Sequence, residues 1–239
     1  MAADVSSRET RNGEPDDPLL RALGAPFTSC CSRGSALGLR LPCVGFDIET
    51  YSPRGFPDDY RDPVVAATLA TSIDGDVRDG LVLISLIYPP YKEEILLRRL
   101  YEFFDLCMGN LLLTYNGLRF DLKYIVNRGE IYGIDFRRIL YCFRHLDLYR
   151  VIKRSGLSSH GYGQKTIERF LGIHRIVEGL SGASYHKEFQ DFLRSGCLRP
   201  LIYNIEDAVG CLKILNRLSR SGRFLYTVNS ISGVRNTEF

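Results

Sequence analysis

The stretch Gly45-Phe46-Asp47-Ile48-Glu49-Thr50 sets two carboxylates two residues apart inside an apolar run. Side chains alternate faces along a strand, so Asp47 and Glu49 point one way while Phe46 and Ile48 point the other. Two like charges on a half-buried strand repel each other and lose hydration, which is costly. A divalent cation is the usual compensation. Taken alone, the pair reads equally well as the solvated end of a strand.

Composition narrows the classes. With 239 residues, 45% hydrophobic and 25% charged, the chain has enough material for one globular domain with a full core. A net charge of +3 permits contact with a polyanion without demanding it. The cysteines at 30, 31, 43, 107, 142, 197 and 211 form no Cys-x-x-Cys pair and are odd in number, against a disulfide framework or zinc knuckle. A reduced, cytoplasmic setting is expected. No apolar run reaches the length of a membrane span, and the acidic N-terminus lacks a signal-peptide core.

Residues 1–40 are rich in Ser, Gly, Arg and Asp without periodicity and read as a mobile or loosely packed arm. A domain is expected over 41–220, followed by a basic tail over 221–239. Strand signals fall at 43–49, 64–73 and 81–88, the last two joined by a turn-rich link at 74–80 that suggests a hairpin. Residues 91–108 carry a helical apolar face, 110–115 a short covered strand, and 120–128 a helix. Leu146-Asp147-Leu148 reads as the end of another strand, and helices are expected over 163–171, 185–194 and 203–219. The order predicts an α/β fold with a central mixed sheet and helices on both faces.

Two further acids stand where an α/β fold places its chemistry. In Tyr115-Asn116-Gly117-Leu118-Arg119-Phe120-Asp121 an apolar strand runs out through Asn-Gly and a lone acid opens the next helix. Taken alone, Asp121 reads better as an ordinary helix-terminal cap or charge. In Tyr203-Asn204-Ile205-Glu206-Asp207, Tyr203 and Asp207 are one helical turn apart on one face, while Ile205, Ala208, Val209, Leu212 and Leu215 form a docking stripe.

Together, Phe46-Asp47-Ile48-Glu49, Asn116-(x)3-Phe120-Asp121 and Tyr203-(x)3-Asp207 resemble the three motifs of the 3′–5′ exonuclease superfamily with an RNase H-like (DnaQ-like) fold. The tyrosine in the third motif resembles the DEDDy subgroup. The likeness is greatest to the proofreading exonuclease domain of archaeal family B DNA polymerases, through FDIETYSPRGFPDDYRDPV, LLLTYNGLRFDLKYI, LDLYRVI and YNIEDA, and it spans about 43–218. The resemblance implies that Asp47, Glu49, Asp121 and Asp207 hold two metal ions and that Tyr203 orients the attacking water. Few residues follow the third motif, so a free-standing nuclease, or one that joins a partner, is expected; LGIHRIVEGLSG resembles free-standing relatives.

Four carboxylates in one cleft would be nearly neutralised by two divalent cations, and hard oxygen donors favour Mg²⁺ or Mn²⁺. Such a pair, about 4 Å apart, clamps an in-line displacement. The expected activity is 3′–5′ exonucleolytic hydrolysis of single-stranded or frayed DNA ends, releasing nucleoside 5′-monophosphates. Asn116 and Phe120 are candidate substrate contacts, though a plain Asn-Gly turn accounts for Asn116 nearly as well and core packing accounts for Phe120 at least as well. Asp147 is a candidate support behind the acids. Lys165, in the first turn of a helix entered through a Gly-rich loop, is a candidate phosphate contact, although an ordinary loop is the simpler reading. Single-stranded nucleic acid, DNA in preference to RNA, is the expected partner. A polymerase or repair protein is a further one, with the chain monomeric or a small homo-oligomer and no membrane involved. Two alternatives stay open: an exoribonuclease using the same site, and a nucleic-acid-binding accessory subunit with little nuclease activity.

Overall fold

A computed structural model describes residues 43–72, 80–157 and 161–220. The expected arm at 1–40, most of the 74–80 link and the basic tail lie outside the described residues. Strand β1 (Cys43–Thr50) pairs antiparallel with β2 (Val64–Ser72), which pairs antiparallel with β3 (Leu81–Ile87). On its other side β1 runs parallel to β4 (Leu111–Thr114), and β4 runs parallel to β5 (Arg144–Asp147). The strand order is therefore β3-β2-β1-β4-β5, with β1 in the centre of a mixed sheet.

The alternation in β1 sorts its side chains as expected. Val44, Phe46 and Ile48 enter a core with Leu96, Leu97, Leu100 and Phe104 of α1 (Glu93–Leu106) and Leu122 and Ile125 of α2 (Asp121–Ile131). Phe46 meets Phe104 edge-on at 5.0 Å between ring centres. The opposite face is covered by α7 (Arg199–Arg220), whose Ile205, Ala208, Val209 and Leu212 pack with Ala70, Leu81 and Leu113. Helices α4 (Leu148–Ser155) and α5 (Gln164–Phe170) complete that layer through Val151, Ile152 and Ile167. A third cluster joins Val65 and Ala66 to Tyr185 and Phe189 of α6 (Tyr185–Ser195) and to Tyr203. The short α3 (Phe136–Leu140) closes the α1 side. This is the RNase H-like α/β fold, with helices on both faces of a mixed sheet.

Gly45 explains how α7 reaches the acids of β1. A Cβ at that position would lie 2.2 Å from the Ala208 carbonyl oxygen, so the helix sits directly on the strand only because residue 45 has no side chain. That approach lays Asp207 beside Asp47 and Glu49.

Helices α3 and α4 stand where no helix was expected, α2 runs three residues past its expected end, and two further boundaries differ for a visible reason. The strand expected to end at Leu148 stops at Asp147, because the Asp147 carboxylate accepts the Tyr149 amide (3.1 Å) and caps α4. Helix α7 begins at Arg199, four residues before Tyr203, with Pro200 in the first turn, where its missing N–H costs nothing. Among the described residues, no helix is long and apolar enough to cross a membrane.

Candidate active site

Three segments distant in sequence meet at the centre of the sheet. Carboxylate oxygens of Asp47, Glu49 and Asp207 lie within 4.8 Å of one another. Asp121, the first residue of α2, joins through its Oδ1, which accepts the amide of Ile48 (3.2 Å), the residue between the two β1 acids. Asp47 is fixed by Asn204, whose Nδ2 donates to its Oδ2 (2.8 Å). The Asn204 carbonyl oxygen in turn accepts from the Thr68 hydroxyl (2.6 Å), and Thr68 stands opposite Asp47 in the β1–β2 register. Thr68 spends its proton on Asn204, so Ser85 donates to Thr68 (2.7 Å). A relay of neutral groups thus carries the orientation of Asp47 back into β3.

Asp147 holds the loop that leads to Asp121. Its carboxylate accepts the amides of Asn116 (2.9 Å) and Leu118 (3.4 Å) as well as that of Tyr149. Asn116 adopts a left-handed backbone, φ 65°, which Asn tolerates better than most residues. The following Gly117 is required because a Cβ there would lie 2.4 Å from Thr114 Cβ. Phe120 precedes Asp121 and meets the exposed Phe56 edge-on at 6.2 Å. Loop 51–63, which carries Phe56, is braced by Tyr124, whose hydroxyl lies between the carbonyl oxygens of Asp58 (3.0 Å) and Asp62 (2.7 Å).

The electrostatics follow from crowding acids in a desolvated place. Burial, and then the charges of Asp207, Asp121 and Glu49, push Asp47 well above the usual carboxylate range. Glu49 rises well above its usual value for the same reasons, with burial first and Asp207 and Asp121 next. Burial lifts Asp121 to about 7, although the Ile48 amide opposes it. Asp207 is raised by burial and held back chiefly by Arg175. An all-carboxylate cluster with these tendencies is capable of coordinating a divalent metal, whose charge would offset the repulsion.

One consequence concerns the metal-free protein. These acids bind protons more tightly folded than unfolded, so their stabilising contribution is present at low pH and is lost as pH rises through the raised values, about 7 for Asp121. His145, pushed down to about 4 by burial, acts in the opposite sense below its ordinary value of 6.5. In chelator, the wild type is therefore expected to lose melting temperature relative to Asp121→Asn between about pH 4 and about pH 7, the His145 contribution being common to both proteins. Thermal melts followed by circular dichroism check both slopes.

Tyr203 lies one turn from Asp207, buried, and burial together with the Asp207, Glu49 and Asp47 charges raises its hydroxyl pKa far above 10. Lys165 sits beside it, with Nζ 4.3 Å from the Tyr203 ring centre and donating to the Leu180 carbonyl. Two groups without a role in the sequence reading are prominent. Asn204 has no exposure at all and steers Asp47. Arg175 donates to Asp207 Oδ1 (2.6 Å) and Glu168 Oε2 (3.0 Å). A signal for Asn204 exists in the sequence, since it lies three residues before Asp207 on the inner side of the helix. Arg175 lies in a connection without periodicity and offers none.

The model for the RNase_H superfamily matches residues 46–219. DNA polymerase 1 of Aeropyrum pernix is 29% identical over 201 residues, covering 74% of this chain and 21% of that protein. The DNA polymerase delta catalytic subunit of Caenorhabditis elegans is 27% identical over 147 residues, covering 56% and 13%. The DNA polymerase of Methanocaldococcus jannaschii is 23% identical over 197 residues, covering 73% and 11%. The chain therefore spans about a fifth or less of the length of these relatives. Among solved structures, the family B DNA polymerase of Pyrobaculum calidifontis superimposes with a TM-score of 0.57 at 17% identity, covering 86% of this chain and 32% of that one, a likeness of fold.

Proposed function

The chain belongs to the RNase H superfamily, and from that premise we propose that it is a metal-dependent 3′–5′ exonuclease of the DEDDy type, acting on single-stranded or frayed DNA ends. The observation that carries the reading is the meeting of Asp47, Glu49 and Asp207 within 4.8 Å, with Asp121 bonded to the Ile48 amide beside them and the proton affinity of all four raised. DNA is preferred over RNA as substrate because the matched relatives are DNA polymerases. A polymerase or repair protein is the corresponding partner.

In this reading the four acids hold two Mg²⁺ or Mn²⁺ ions. The chemistry such ions supply is Lewis acidity, which acidifies water and stabilises charge developing on the phosphate and the leaving 3′ oxygen. The protein's own groups do the rest. Asn204 and the Ile48 amide fix the Asp47 and Asp121 oxygens, so the donor set is arranged before substrate arrives. Tyr203 keeps its proton at neutral pH because burial and nearby acids raise its pKa. It therefore positions water by a hydrogen bond and does not act as a base. Lys165, beside Tyr203, offers the positive charge that a phosphate needs on that side. Phe120, in contact with the exposed Phe56, offers a ring face to the terminal sugar or base. Asn116 lines the turn between β4 and Asp121, and Asp147 keeps that turn in place.

The test is digestion of matched 5′-labelled single-stranded DNA and RNA by the full chain with Mg²⁺ or Mn²⁺, beside a chelator control. DNA shortened stepwise from its 3′ end, with 5′-mononucleotides released and chelator abolishing the reaction, is the expected result. Faster loss of RNA would move the substrate to RNA. Absence of mononucleotides from both polymers, with oligonucleotide binding retained, would overturn the enzyme reading.

A further inference from the structure

Arg175 lies in the connection between α5 and α6, a segment with no regular structure of its own around that residue. That connection is fastened to α7 by Glu206, whose carboxylate accepts the amides of Ile176 (2.5 Å) and Val177 (2.9 Å). The residue that anchors the loop is thus the immediate neighbour of Asp207. The fastening carries the Arg175 guanidinium into the acidic cluster, with only 10% of its side chain exposed. There Nη1 bridges Asp207 and Glu168, Nη2 reaches the Tyr203 carbonyl (3.4 Å), and the guanidinium carbon lies 5.2 Å from the Tyr203 ring centre. Nε stands 3.8 Å from Glu206 Oε2 and is buried without a hydrogen bond.

A buried, forked cation spanning two carboxylates is expensive to place and leaves one N–H unsatisfied, so it needs a reason. The Asp207 carboxylate it holds belongs to the group that lies within 4.8 Å of Asp47 and Glu49. We infer that Arg175 is a positioning residue that serves as the site's resident counter-cation: it compensates and orients Asp207 while no metal is bound, and it competes with the incoming divalent ion for that carboxylate. This rests on the reading of the acids as metal ligands. The arrangement keeps the cluster assembled without metal, at the expense of metal affinity.

Charge compensation and plain bracing predict different results for Arg175→Gln in the full chain. Compensation predicts a melting temperature several degrees below wild type in chelator, with more than half of that deficit recovered at saturating Mn²⁺. It also predicts an apparent Mn²⁺ Kd, measured by calorimetry, at least about threefold tighter than wild type, because a competing charge has gone. Arg175→Lys keeps the charge and is expected to bind Mn²⁺ within about twofold of wild type. An Arg175→Gln chain that folds only with Mn²⁺ is the extreme form of the expected result. An equal deficit with and without Mn²⁺, folding in neither condition, or an unchanged or weaker Kd would overturn the inference, as would equal tightening in Arg175→Lys. Those outcomes leave the metal-site reading standing, whereas a wild type that binds no Mn²⁺ overturns both.

Discussion

Asp47→Asn is expected to lower the rate of mononucleotide release by on the order of a thousandfold or more, while the metal-free fold becomes no less stable than wild type. The substitution keeps size and shape, and its amide oxygen can still accept from Asn204, which donates to Asp47 at 2.8 Å. What it removes is one acid from a group whose members raise one another's proton affinity, and with it the cost of charging or protonating that acid inside the fold. Loss of that cost stabilises the chelated protein at neutral pH, and loss of a hard anionic donor removes its function. Single-turnover digestion paired with melts in chelator reads both. Comparable losses of activity and of stability would mean that Asp47 holds the fold together instead of serving the reaction.

Arg128→Met is expected to cause the largest loss of stability, about 3–5 kcal/mol by urea denaturation. For a chain of this size that corresponds to a drop in melting temperature of roughly 10 °C. The reason is Glu93, whose side chain is fully buried beside Arg128, itself 7% exposed. Arg128 Nε donates to Glu93 Oε1 (2.8 Å), and its Nη2 makes a second bond to Oε2. The Val64 amide (2.7 Å) and the Tyr132 hydroxyl (2.8 Å) complete the set, so one carboxylate ties β2, α1 and α2 together. Removing Arg128 leaves that charge inside with two neutral donors. Replacing both members of the pair with apolar residues would not restore stability, because Val64 N–H and Tyr132 O–H would lose their acceptor. A loss below about 1 kcal/mol would show that water reaches Glu93 and takes the place of the guanidinium.

Much of this architecture can be read from local pattern. The alternation in Phe46-Asp47-Ile48-Glu49 reports the two faces of β1 because a strand in the middle of a sheet must be sorted in that way. The Ile205, Ala208, Val209, Leu212 stripe predicts that α7 docks on the sheet, and the spacing of Tyr203 and Asp207 follows from it. What pattern does not carry is partnership at long range. Asn204 is an ordinary polar residue in a helix until Thr68, 136 residues away, and Asp47, 157 residues away, supply its two hydrogen bonds. Arg175 gains meaning only when Glu206 fastens its loop. Lys165 reads from sequence only as a first-turn lysine after a Gly-rich loop, whereas the fold turns its ammonium toward Tyr203 and the Leu180 carbonyl. Helix α4 was hidden because Asp147 ends β5 and caps the helix in a single residue, which leaves no turn to announce the change.

The most direct measurement is a calorimetric titration of Mn²⁺ into the chelator-stripped full chain at about pH 6.5, below the Asp121 value of about 7, in two buffers of different ionisation enthalpy. Acids whose proton affinity is raised by burial and by one another, as at Asp47, Glu49 and Asp121, must shed protons when they take up a cation. The account predicts saturable binding with net proton release, both strongly reduced in Asp47→Asn. Absence of saturable binding, or binding that releases no protons and survives Asp47→Asn unchanged, would contradict it.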